Sequence, residues 1–192
     1  MKQRTRRILS LFDYSGAWSA PYAAAGYEVR RVDIQNGRNV FDEKPSEYHG
    51  ILAAPPCTDF AVSGVRWWPE KDASNSTALS VELVEFTLQL ITESDPEWWA
   101  LENPVGRLER LVPALAAYQL FWFQPCDFGD PYTKKTGIWG VFTPPLPLFT
   151  SCSPVEPTEG SKMHRVAPGP NRANIRSETP SGFARAFFEA NP

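Results

Sequence analysis

Residues Leu11–Ile34 read LFDYSGAWSAPYAAAGYEVRRVDI, and this stretch decides the fold. It is entered by an apolar run, RRILSLF (Arg6–Phe12), that reads as a strand. A turn is marked at Ser15-Gly16. SAPYAAAGY then reads as a helix, with Ser19 as N-cap, Pro21 in its first turn and Gly26 ending it. Glu28–Ile34 (EVRRVDI) is a second strand that closes on an acid, Asp33. Strand, tight turn, helix and strand make a βαβ unit, whose second strand lies parallel to the first.

The pattern continues outward from this unit. GILAA (Gly50–Ala54) is a short, wholly apolar strand of the kind buried on both faces. In Thr77–Ser94, Leu79, Leu83, Phe86 and Leu90 fall three and four residues apart, which predicts an amphipathic helix. EWWALEN (Glu97–Asn103) is a further strand, LERLVPALAAYQL a helix interrupted at its proline, TGIWGVF a strand, and SGFARAFFEA a closing helix. The expected fold is α/β, a doubly wound and mainly parallel sheet with helices on both faces. The 192 residues are expected to form one domain. Within it, residues 143–174 read as a reduced, Pro-rich loop.

Composition narrows the function classes. There are three cysteines (Cys57, Cys126, Cys152) with no CxxC pair, and two histidines (His49, His164) with no second ligand at metal spacing. This argues against a disulfide framework and a zinc cluster, and fits a reducing, intracellular setting. The basic start MKQRTRRILSLF has too short an apolar run for a signal peptide or a membrane span. Net charge is −3, so any nucleic-acid binding has to use local patches. Basic residues gather late (Lys134, Lys135, Lys162, Arg165, Arg172, Arg176, Arg185), which on charge alone reads as a solvated surface.

In an open α/β sheet, ligands sit beyond the carboxyl ends of the strands. Three features fall there: the Ser15-Gly16 turn, the loop APPCTDFAVSG (Ala54–Gly64) and the Glu102-Asn103 pair. Asp33 at its strand end suits the hydroxyls of a ribose, and without a full GxGxxG pattern a nucleoside ligand such as S-adenosylmethionine fits better than a dinucleotide. Cys57 has three readings: nucleophile, metal ligand, or small buried core residue, the commonest fate of a lone thiol. The rigid Pro55-Pro56 step holds it at the ligand edge, and Arg66, folded back, would favour its thiolate. Glu102 is a strand-end carboxyl able to act as an acid, or an ordinary acid before the turn that Asn103-Pro104 creates.

Taken in order, F-D-Y-S-G, the acid Asp33, PPC, ENP and FGDPYTKKTGIWG resemble the DNA cytosine-5 methyltransferase family. The family wording runs F-x-G-x-G, an acid, PC, ENV, then YG-x-PQ-x-R-x-R, and the order holds here from Ser10 to Gly140. The tail SETPSGFARAFFEA is similar to the family's last motif. The resemblance implies methyl transfer from S-adenosylmethionine to carbon 5 of a cytosine in DNA, the base being flipped out. Cys57 is then the nucleophile at carbon 6, and Glu102 the group on ring nitrogen 3 and the amino group. It implies cofactor contacts from Phe12, Ser15, Gly16, Asp33, Asn39, Thr179 and Ser181, and substrate contacts from Pro56, Asn103, Lys134, Arg66 and Arg172. It also implies a compact, phage-type enzyme of the cytoplasm, without membrane attachment.

The departures are specific. Asp13 and Tyr14 replace glycine positions of the first motif, Pro104 stands where a valine is usual, and Lys134 and Thr136 stand for the two arginines. Cys126, also preceded by proline, reads as a structural thiol. Thr143–Asn174 is too short for a separate recognition domain. Target readout is then minimal or supplied by a partner or a second copy. The same chemistry on single-stranded DNA, RNA or a free nucleotide is one competing reading, and a silent relative that binds cofactor or DNA is another.

Overall fold

The structure, a computed structural model, describes residues 6–147, 153–161 and 165–192. Residues 1–5, Cys152, Lys162 and His164 therefore lie outside the described residues. Six strands form one sheet: β1 (Arg7–Leu11), β2 (Glu28–Val32), β3 (Gly50–Ala53), β4 (Trp98–Pro104), β5 (Gln119–Phe123) and β6 (Thr136–Val141), in the spatial order β2-β1-β3-β4-β6-β5. The first four are mutually parallel, because each connection between them is long enough to cross over the sheet. β6 is antiparallel to both of its neighbours, β4 and β5.

The helices are α1 (Ala20–Ala24), α2 (Trp68–Ala73), α3 (Ser76–Ser94), α4 (Leu108–Leu111), α5 (Arg172–Ser177) and α6 (Ser181–Ala190). The strands alternate between two cores. Leu9, Leu11, Ile51, Ala53, Trp99, Leu101 and Trp139 pack with Val84, Leu90 and Ile91 of α3. Ile8, Leu52, Trp98, Ala100 and Ile138 pack with Trp18, Tyr22 and the α6 phenylalanines Phe183 and Phe187. Because successive side chains of a strand point to opposite faces, a sheet covered on both sides needs continuous apolar runs, as all of β3 and Trp98–Leu101 of β4 supply.

Two expectations are corrected. The segment LERLVPALAAYQL does not end as helix. α4 stops at Leu111, a 3₁₀ turn spans Pro113–Ala117, and Gln119-Leu120 open β5. Pro113 cannot continue the helical hydrogen bonding. QLFWF then alternates, with Phe121 and Phe123 toward the α6 core and Trp122 against Trp139 on the other face. Ser19 stands at the N-cap of α1 but makes no capping bond, because its hydroxyl donates to Asp13 (2.6 Å).

The expected loop 143–174 gives its last three residues to α5. Its described middle lies along the 125–133 segment: Val155 N–H donates to the Cys126 carbonyl (2.8 Å) and Thr133 N–H to the Gly160 carbonyl (2.8 Å). Among the described residues no helix is long and apolar enough to cross a membrane.

Candidate active site

The carboxyl ends of β1, β2, β3 and β4 share one edge, and the expected residues converge there. After β1 the chain turns sharply. Phe12 takes a left-handed φ of 61° while its N–H still donates to Val32 of β2 (2.8 Å). Asp13, next to Phe12 in this turn, turns inward. One of its oxygens accepts from the Ser10 hydroxyl (2.9 Å), the Ser19 hydroxyl (2.6 Å) and the Ser19 N–H (3.2 Å). The turn is thereby fixed by hydrogen bonding. Gly16, at φ +75°, closes it, and the guanidinium of Arg31 lies where its side chain would be.

Asp33, at the end of β2, is buried, and one of its oxygens accepts from the Gln35 N–H (2.8 Å). The other oxygen is left for hydroxyl donors, so Asp33 fits a ribose. Asn39 is exposed, and its amide oxygen accepts from the Phe41 N–H (3.2 Å), which leaves one lone pair and the NH₂ for a ligand.

β3 ends on Pro55, Pro56 and Cys57, and this loop is tied to the segment that leaves β4. Asn103, fully buried, donates to the Pro55 carbonyl (3.1 Å). Val62 N–H donates to the Val105 carbonyl (2.9 Å) and Arg107 N–H to that of Phe60 (3.0 Å). Arg107, buried, donates its Nε to the Asp59 carbonyl (2.9 Å), grips both oxygens of Asp72 (2.9 and 2.7 Å) and lies over the Trp68 ring. The carboxylate of Asp59 accepts from Ser76 (3.0 Å) and Ser80 (2.8 Å) at the start of α3. Lys71 pairs with Asp59 and donates to the Thr58 carbonyl. Cys57 therefore stands on a braced turn. Its own carbonyl accepts from Phe60 N–H (3.0 Å) and Ala61 N–H (2.8 Å).

Around the thiol sit three charges. Burial and the Glu102 carboxylate push the Cys57 thiol above its ordinary range, while Lys134 and Arg176 pull it down more weakly. Lys134 and Glu102 are both buried and form an ion pair at 3.5 Å. Thr136, the other arginine replacement, donates its hydroxyl to the Lys134 carbonyl (2.8 Å) and so holds that lysine in place. Cys126 differs in kind: burial and then Asp127 raise its thiol, with Glu156 adding to the effect, and no cation opposes them.

Several expected roles shift. Arg66 is exposed and stacked on Trp67, so it does not fold back to Cys57; Lys134 and Arg176 supply the nearby positive charge. Asn103 donates its amide to the Pro55 carbonyl and so positions the Cys57 loop, while its Oδ1 is buried without a partner among the described residues. Pro56 is exposed beside Cys57. Thr179 is buried and Ser181 opens α6, whose first turn is anchored by Gly182 N–H donating to Asp130 (3.1 Å). Arg172 lies on α5, one turn before Arg176. Sequence reading missed Arg176, Arg107 and Asp59. The four-residue spacing of Arg172 and Arg176 was the one visible signal for the first, and nothing local marked the other two.

A mainly parallel α/β sheet with a fixed turn after β1, an acid after β2 and a thiol after β3 gathers these residues at the edge where doubly wound folds bind their ligands. No family model matches the chain. In sequence the chain is 28% identical over 154 residues to the "Probable DNA (cytosine-5)-methyltransferase" of Frog virus 3 (isolate Goorha), covering 69% of each protein. In structure it is similar to a candidate DNA modification methyltransferase encoded within a prophage of E.coli, with a TM-score of 0.54 and 17% identity over 79% of this chain. The chain spans about half (53%) of that protein's length. An Entamoeba histolytica methyltransferase, EhMeth, aligns with a TM-score of 0.47 and 15% identity, covering 87% of this chain and 61% of that one. The fold is thus similar to that of the prophage-encoded protein, and the relative found by sequence is named for the same reaction that the motifs resemble.

Proposed function

We propose that this protein transfers a methyl group from S-adenosylmethionine to carbon 5 of a cytosine in DNA, with Cys57 as a transient covalent nucleophile. The reading is supported by one observation: at the carboxyl-end edge of the sheet, Glu102 acts on the Cys57 thiol, raising it, while Lys134 is paired to that carboxylate.

The two groups are linked through one proton. At rest, burial and the neighbouring Glu102 hold the proton on the thiol. Moving that proton to Glu102 conserves total charge and leaves the two reactive forms together, a thiolate and a carboxylic acid. The thiolate adds to carbon 6 of the cytosine while the acid donates to ring nitrogen 3, so the electron pair reaches carbon 5. Bound S-adenosylmethionine would supply an electrophilic methyl group, held through its ribose by Asp33 and along the Phe12–Gly16 turn. Loss of the carbon-5 proton to a base then restores the double bond as the sulfur–carbon bond breaks. Lys134 keeps Glu102 oriented and limits the cost of its burial. In a duplex the target base has to leave the stack to reach this edge.

The short stretch after β6 supports a second reading of the substrate, in which the strand arrives already unpaired or a partner supplies recognition. One experiment separates these. Oligonucleotides bearing 5-fluorocytosine, in duplex and single-stranded form, and the free fluorinated nucleotide are incubated with the protein and S-adenosylmethionine. Fluorine cannot leave as a proton does, so a denaturation-resistant adduct is expected. Cys57→Ala should abolish the adduct while cofactor binding persists. An adduct that survives Cys57→Ala, or none on any of the three substrates, overturns the proposal.

A further inference from the structure

We infer that Arg172 and Arg176 form an oxyanion subsite that takes a backbone phosphate of the strand carrying the target cytosine. The inference rests on the methyltransferase reading above and deepens it. The two arginines are four residues apart on α5 and so share a face, where like charges destabilise a helix unless an anion lies between them. The other cations around Cys57 have carboxylate partners: Lys134 has Glu102, Arg107 has Asp72 and Lys71 has Asp59. Arg172 and Arg176 have no ion pair among the described residues. Both are half-buried, and the Nε of each is shut off from solvent with no hydrogen-bond partner among the described residues. A guanidinium carries five donors in a rigid fork suited to an oxyanion, and an Nε sealed from water without an acceptor is costly to keep.

Their placement selects the ligand. Asn174, on roughly the opposite side of α5, exchanges two hydrogen bonds with Gln35 in the turn after Asp33 (3.2 and 3.0 Å). The Arg176 charge reaches the Cys57 thiol. α5 is thus tied to the turn after Asp33 while the Arg176 charge acts on Cys57, which puts its arginine face on the side of the proposed nucleotide site. Two oxyanions come to this edge, a phosphodiester of the substrate strand and the carboxylate of S-adenosylmethionine. The phosphodiester is favoured because the chain has little other means of holding DNA: its net charge is −3, and Thr143–Asn174 is too short for a recognition domain. A phosphate grip positions the strand without reading sequence.

The test uses the full chain with Arg172→Gln, Arg176→Gln and the double variant. It measures affinity for an oligonucleotide across a salt series, and affinity for S-adenosylmethionine. In parallel, wild-type protein is given the oligonucleotide with single methylphosphonate linkages flanking the cytosine. This removes the phosphate charge without altering the protein. Each substitution is expected to weaken oligonucleotide binding about tenfold or more, as loss of a charge-assisted hydrogen bond does. The slope of log affinity against log salt should fall by about 0.7–0.9 per arginine. One methylphosphonate position should weaken wild-type binding to the same degree and have no further effect on the double variant. Unchanged affinity and slope, no sensitive methylphosphonate position, or loss of cofactor affinity with DNA affinity intact would each overturn the assignment. If wild-type protein binds the oligonucleotide through these arginines yet forms no 5-fluorocytosine adduct, the methyltransferase reading falls and the phosphate site stands.

Discussion

The substitution Gly106→Ala tests the bracing of Cys57 without touching any group that does chemistry. Gly106 lies two residues beyond β4 and forms an antiparallel bridge with Ala61. A Cβ there would stand 1.9 Å from the Phe60 carbonyl oxygen and 2.7 Å from its carbon. Such contacts do not fall below 3.0 Å, so the Cys57 loop has to withdraw by about 1.1 Å. The neighbours are backbone and cannot swing aside as a side chain would. The shift passes to the thiol because Phe60 and Ala61 both bond to the Cys57 carbonyl, while Glu102 stays with the sheet. A displacement of about 1 Å between a nucleophile and its partner costs on the order of 100-fold in rate. The overpacking itself costs about 1–3 kcal/mol, a fall in Tm of roughly 3–10 °C for a chain of this size. Single-turnover methyl transfer on a cytosine oligonucleotide, cofactor affinity and thermal melting are to be measured on the same preparation. The expected result is a large loss of rate, near-normal cofactor affinity and a folded protein. A variant with lowered Tm and an unchanged single-turnover rate would refute the claim that loop register sets the reaction geometry.

Other outcomes follow from the charges around the thiol and from the turn after β1. Alkylation of Cys57 by iodoacetamide should be slow at neutral pH and climb as pH rises past the ordinary thiol range, because burial and then Glu102 hold the proton on sulfur. Glu102→Gln removes the second of these, so it should speed alkylation while slowing methyl transfer; a parallel change in both would contradict the proton-sharing account. Asp13→Ala removes the acceptor of three hydrogen bonds and should cost about 2–3 kcal/mol, or roughly 5–10 °C in Tm, by thermal denaturation. An unchanged melt would show that the turn holds without Asp13.

Much of the fold was legible because its signals are local. Wholly apolar strands such as GILA, turns at Gly16 and Gly26, and the helical spacing in α3 each lie within a few residues, and parallel strands follow from the long crossovers between them. The same holds for Asp33, Cys57 and Glu102, which stand at or near strand ends in motif order. The amino-acid sequence by itself therefore determined the α/β class and, through motif order, the sheet edge and the residues proposed for chemistry. Tertiary structure alone decided how those residues are used. β6 inserts between β4 and β5 because strand order is settled by pairing across the sheet, which no local pattern encodes. Asn103 turns to Pro55, and Arg107 reaches Asp59 and Asp72 from far along the chain, since hydrogen bonds join whatever folding brings within reach. The cations near Cys57 are Lys134 and Arg176 and not Arg66, nine residues away in sequence, because charge acts through distance in space.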